Sequence, residues 1–153
     1  MHIIQPILHL IAEYAAEQKL RDWIPLDKID WGWLSGNKND GALKLLKENQ
    51  DKIDWDGLSR NPNNEAIALL KDQLKQNPDK IDWWNLSENT SDGAIAILRA
   101  NQDKINWSSL SANPNNDAIA LLKQNQDKID WEHLYANPSI FELNTKAIYS
   151  NLL

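Results

Sequence analysis

The chain is a tandem repeat. The string DKIDWDGLSRNPNNEAIALL, starting at Asp51, returns from Asp103 as DKINWSSLSANPNNDAIALL. Looser copies bring the units to five, beginning at Asp27, Asp51, Asp79, Asp103 and Asp127, so the period is 24 residues except for 28 in the second unit. A unit this short cannot bury an apolar face by itself. Neighbours must stack to make a continuous core, which points to a solenoid, propeller or array.

Each unit holds two helical pieces. The first begins at Asp30, Asp54, Asp82, Asn106 or Asp130, whose short side-chain oxygens suit an N-cap. Next comes Trp31, Trp55, Trp83, Trp107 or Trp131, and three residues later Leu34, Leu58, Leu86, Leu110 or Leu134. That spacing puts Trp and Leu on one face of a turn. The five tryptophans are therefore expected to fill the core between units. Asn-Pro at Asn61, Asn113 and Asn137 limits this piece to one or two turns, with 3₁₀ geometry an option.

The second piece reads as an α-helix with caps at Asn39, Asn63, Ser91, Asn115 and Ser139, the last forming a capping-box pattern with Glu142. The apolar pairs Leu43/Leu46, Ile67/Leu70, Ile95/Leu98 and Ile119/Leu122 make its buried stripe, with Ala42, Ala66, Ala94 and Ala118 beside them. The four extra residues of the second unit fall within or just after LLKDQLKQNP. Four residues are close to one helical turn, so this helix is expected to lengthen with its stripe, now including Leu74, kept in register. The expected fold is an all-α short-repeat solenoid. A leucine-rich repeat would need a Leu-x-Leu strand before the Asn, where this chain has DGLSR or SSLSA. The leucine-rich variant repeat, a 3₁₀ helix paired with an α-helix, is the nearer physical analogue.

Three regions follow: an N-terminal capping helix in 1–26, the repeats in 27–138, and a divergent capping helix in 139–153. Residues 6–21 read as the amphipathic part of the first cap, with Ile7, Leu10, Ile11 and Tyr14 on one side.

DKIDW, LSxNPN followed by an Ile-x-Leu-Leu helix, LRDWIPLDKIDW and the ending NPSIFELN resemble the tandem-repeat proteins abundant in large DNA viruses of protists. The resemblance covers roughly residues 19–145. It implies a helical short-repeat solenoid and no particular activity. GNKNDGALKLL and ENTSDGAIAIL depart from the pattern by lacking the Pro, which predicts looser turns there.

A net charge of −6 offers no basic surplus for a nucleic-acid backbone or an anionic membrane, and neither is expected as a partner. With no cysteine, thiolate metal sites are excluded. His2, His9 and His133 lack zinc-ligand spacing, and the DKID carboxylates serve turns and caps better than calcium. No cofactor is expected. The N-terminal segment lacks a basic start, so no signal peptide is expected, and the location is expected to be cytoplasmic and intracellular, in the host cytoplasm if the chain is viral.

The serines at 35, 59, 87 and 111 recur with the repeat, whereas a catalytic constellation needs one convergence of groups, so the chain is expected not to be an enzyme. The informative positions are those the repeat leaves free. The residues after each Trp supply a candidate binding strip of Trp33, Asp56, Trp84, Asn85, Ser108, Glu132 and His133. Its mixture of aromatic and acidic groups suits a protein or peptide with apolar and basic side chains. The chain itself is expected as a monomer or weak homo-oligomer, and the rival reading is a structural spacer or self-associating assembly component.

Overall fold

The computed structural model describes residues 18–142. Among these residues nine α-helices run in chain order: α1 Trp31–Ser35, α2 Asp40–Glu48, α3 Trp55–Arg60, α4 Asn64–Gln76, α5 Trp83–Glu88, α6 Asp92–Ala100, α7 Trp107–Ala112, α8 Asn116–Gln124 and α9 Trp131–Tyr135. No strand occurs among the described residues. Short helices pack on short helices and long on long, each against its neighbour in sequence. The result is a helical repeat solenoid of two rows.

A third element joins each unit to the last. The residues at Asp-Lys form a 3₁₀ turn at Leu26–Lys28, Gln50–Lys52, Pro78–Lys80, Gln102–Lys104 and Gln126–Lys128. The Trp piece is a true α-helix of five or six residues, not the 3₁₀ option.

Caps explain the boundaries. Asp30, Asp54, Asp82, Asn106 and Asp130 each accept a hydrogen bond from the backbone N–H three residues on, satisfying an orphan donor of the first turn. Asn39, Asn63, Ser91 and Asn115 cap the long helices, accepting from the backbone N–H two or three residues on. At the far ends, Asn49, Asn101 and Asn125 turn the chain without left-handed geometry. Each folds its amide back to the carbonyl four residues earlier, at 2.8, 2.8 and 2.9 Å. The second unit behaves as its spacing requires: α4 has 13 residues where α2, α6 and α8 have nine, and Leu74 packs against the core.

The units are riveted by one asparagine each. Asn61 donates its amide protons to the carbonyls of Ser35 and Asn37, both at 2.9 Å. Asn89 repeats this on Ser59 and Asn61, Asn113 on Ser87 and Asn89, and Asn137 on Ser111 and Asn113. The side-chain oxygen of each accepts from the backbone N–H two residues on, closing the turn into the long helix. The serine two residues earlier completes the rung. Ser35, Ser59, Ser87 and Ser111 accept from the cap-residue N–H of the following unit at 3.0–3.3 Å. All of these Ser and Asn side chains are buried. Asn89 makes the full set without the Pro, so the turn before α6 is not loosened in its bonding.

The apolar core lies between the rows. Leu58, Leu86 and Leu110 from the short helices meet Leu46, Leu70, Leu98 and Leu122 from the long ones, with Ile53, Ile81 and Ile105 closing the side. The tryptophans correct the sequence reading. Trp31, Trp55, Trp83 and Trp107 are only partly buried and flank the core, and Trp131 is 52% exposed. An indole at the first helical position lies over the rim. Cover comes from the next unit, as where Lys80 lies 5.9 Å from the Trp55 ring centroid. Trp131 has no such unit after it among the described residues.

The caps also differ. Residues 1–17 and 143–153 lie outside the described residues, so most of both expected capping helices does too. Residues 18–21 are not helical. Pro138–Ile140 is a 3₁₀ turn and Phe141 is extended, so no α-helix starts at Ser139 as its capping-box pattern suggests. Instead, the Ser139 hydroxyl donates to the Pro114 carbonyl at 2.6 Å.

The rungs and the core give distinct mutational costs. Asn113→Ala strands two buried carbonyls and should cost on the order of 2–4 kcal/mol, against less than about 1 kcal/mol for Asn37→Ala, whose amide binds no preceding carbonyl among the described residues. Urea denaturation of the two variants measures the difference, and equal losses would remove the ladder from its central role. By the same measurement Leu110→Ala, at a fully buried site, should lose about 2–5 kcal/mol and exceed Trp107→Ala.

Candidate functional site

Stacking the short helices creates one continuous outer face. The residue after each Trp and the residue before each Asn are four apart, so they share a side of the helix. Five such pairs run along the row: Gly32/Gly36, Asp56/Arg60, Trp84/Glu88, Ser108/Ala112 and Glu132/Ala136. All are exposed except Ser108, which is half-buried.

The second residue after Trp turns elsewhere. Asn85 and Ser109 are buried, each 7% exposed, because this position faces the preceding short helix. Asn85 donates to the Asp56 carbonyl at 3.2 Å. At Gly57 an added Cβ would stand 3.1 Å from the Gly32 carbonyl oxygen, which explains a glycine there. Asn85 is therefore a contact between units rather than a solvent-facing member of the strip. Trp33 and His133 occupy the same repeat position at the two ends and remain exposed, Trp33 at 85%. The expected strip thus divides: Asp56, Trp84, Ser108 and Glu132 form one line, and Trp33 and His133 stand beside it at its ends.

The middle of the line carries a built cluster. The guanidinium carbon of Arg60 lies 5.8 Å from the Trp84 ring centroid. Arg60 also donates to the Asn85 side-chain oxygen and faces the Glu88 carboxylate at 4.0 Å. Three partners thus fix the guanidinium, yet Trp84 remains 48% exposed. A cation over an indole supports a flat platform at the surface. Nearby, the slight desolvation of the exposed Asp56 carboxyl, with the Asp82 and Asp54 carboxylates beside it, raises its pKa above the ordinary value. Arg60 and Trp84 both stand at free positions of successive units, and that juxtaposition is the signal sequence reasoning passed over.

A second cluster lies near α9. Ser108 donates to the Asp130 carboxylate at 2.8 Å, His133 Nδ1 lies 2.9 Å from the same oxygen, and Ser108 and His133 are 3.1 Å apart. These are the residue types of a hydrolytic triad in a different arrangement. A relay needs the serine on one imidazole nitrogen and the carboxylate on the other, whereas here both meet Nδ1. Among the described residues no group of three or more His, Cys, Asp and Glu is placed to hold a metal, and no helix is long and apolar enough to cross a membrane.

Comparison of the chain with protein-family models, with curated proteins and with solved structures finds no match in any of the three.

The bonds from Ser108 and then His133 hold the Asp130 carboxyl at about 2, below its ordinary 3.8. A depressed carboxylate pKa adds stability above the unfolded value and loses it as pH falls through the folded one. The contribution of Asp130 should therefore be complete above about pH 4 and fade toward pH 2. Carbon-detected NMR titration should place its midpoint near 2, and Ser108→Ala should raise it toward 3.8. An unchanged midpoint in that variant would exclude Ser108 as the main cause.

Proposed function

We propose that the chain is a non-enzymatic repeat scaffold that binds a protein or peptide along the outer face of its short-helix row. The observation that supports this reading is the alignment of Asp56, Arg60, Trp84, Glu88 and Glu132 on that face, at positions where the repeat imposes no residue. Scaffold positions recur because the ladder and core require them, while these vary. An exposed Trp braced by a fixed Arg is a residue pair of the kind that dominates binding interfaces. The neighbouring carboxylates favour a ligand segment with apolar and basic side chains.

A spacer or self-associating component is the second reading. It draws on Trp131, Tyr135 and Phe141, exposed together at the C-terminal end of the described array.

The double variant Trp33→Ser with Trp84→Ser distinguishes the two when peptides selected from a displayed library are titrated against it. Under the binding reading, peptide affinity falls at least about tenfold, the cost of one hot-spot residue, while the melting temperature stays within a few degrees. Unchanged affinity removes the outer face from the function. Concentration-dependent association of the wild-type chain, carried by the C-terminal aromatics, would favour the second reading.

A further inference from the structure

The second unit holds the one break in the 24-residue period, and a cleft lies at the break. Gln73 occupies the repeat position at which Asn49, Asn101 and Asn125 end the other long helices. Glutamine carries α4 onward for one more turn, Gln73–Gln76, and its own amide donates to the Asn77 carbonyl at 3.1 Å. Between this extra turn and the end of α2 is an open cleft of about 190 Å³. Trp55 and Leu69 supply its apolar lining, and Lys47, Asp72, Gln73 and Lys75 its polar groups.

The cleft is cationic in an acidic chain. Lys75 is paired with Asp72 at 3.0 Å, but Lys47 has no ion pair among the described residues. In the third unit the equivalent cation, Arg99, is engaged by Asp117 at 3.4 Å. The side chain of Gln73 is held by its bond to Asn77 and is only 9% exposed, leaving its oxygen as a fixed acceptor in the lining.

We propose that this cleft binds a flat apolar group bearing a carboxylate. The ring packs on Trp55 and Leu69, the carboxylate pairs with Lys47 and Lys75, and a donor on the ligand meets the Gln73 oxygen. A free aromatic acid and the C-terminal aromatic residue of a peptide present the same chemistry. The site belongs to a different face from the short-helix row and stands independently of the scaffold reading.

The test is an NMR titration of the full chain with indole-3-acetate and with the peptide Gly-Gly-Phe. Saturable shifts are expected at the Trp55 indole and the Gln73 side-chain amide, and the tighter probe identifies the source. Indole-3-acetamide and the amidated peptide should bind about tenfold more weakly or worse, the loss of one charge-assisted bond. Lys47→Glu, a surface change, should cost as much. Deleting residues 73–76 restores a regular unit and should abolish the shifts while the helical circular dichroism spectrum persists. No saturable shift with either probe overturns the proposal. So does equal binding of acid and amide, or binding unaffected by Lys47→Glu. That surface variant decides the matter should the deletion fail to fold.

Discussion

The buried asparagine of each unit is the constraint on which the rest of the structure depends. It must supply two donors to two carbonyls of the unit before it and one acceptor to its own turn. Aspartate would set a carboxylate against those carbonyls. Serine has one donor. Glutamine would push its amide a methylene too far. Each failure leaves polar groups buried and unpaired, where the desolvation penalty is greatest. The neighbouring serine carries the same logic at smaller scale: its hydroxyl must accept from the next unit in a space that is fully buried. No buried side-chain nitrogen or oxygen among the described residues lacks a partner. The network is complete, and a complete polar network fixes one register where an apolar contact alone would permit sliding.

From that register follows the geometry of the surface. Because every rung has the same bonds, successive short helices hold the same spacing and orientation, and equivalent positions fall in lines. One line faces the preceding helix, and in the interior units Gly57, Asn85 and Ser109 fit there beside its backbone. The adjacent line is open to solvent and accepts Asp56, Trp84 and Glu132 alike. The freedom of the outer face and the rigidity of the interior are two results of one bond pattern. Arg60 shows how they connect, since its guanidinium is braced partly by Asn85, a member of the constrained line.

Much of the fold was legible in the sequence. The period, the caps and the one-turn extension of α4 all follow from residue types at fixed offsets, because capping and helical phase are local. The core was legible at Leu58, Leu86 and Leu110, and misread at the tryptophans. Size and hydrophobicity suggested a central role for them. Their burial is decided by how closely the backbones approach, and that distance is set by the small Ser and Asn side chains. The recurrence of Asn was visible, but its partners are 24 to 30 residues away in the preceding unit and no local rule points to them. The candidate site was legible to the same degree. Free positions were identifiable, while their division into inward and outward lines required the stack.

The second unit shows why such an array can acquire a local feature without losing its register. An insertion of one helical turn extends α4 along its own axis and leaves the apolar stripe on the same side. Asn61 and Asn89, which fix this unit to its neighbours, both lie on the short-helix side, at the turn into the long helix and away from the insertion. The rungs above and below are therefore undisturbed. Two residues would have rotated the stripe by more than half a turn and set Leu74 toward water. The extra turn reaches past the end of α2, which stops at Glu48, and the unfilled space between them is the cleft beside Trp55. In a solenoid whose polar rungs lie at one edge, the opposite edge is where sequence can be added, and an irregularity there is a natural place for a site that the repeat itself does not encode.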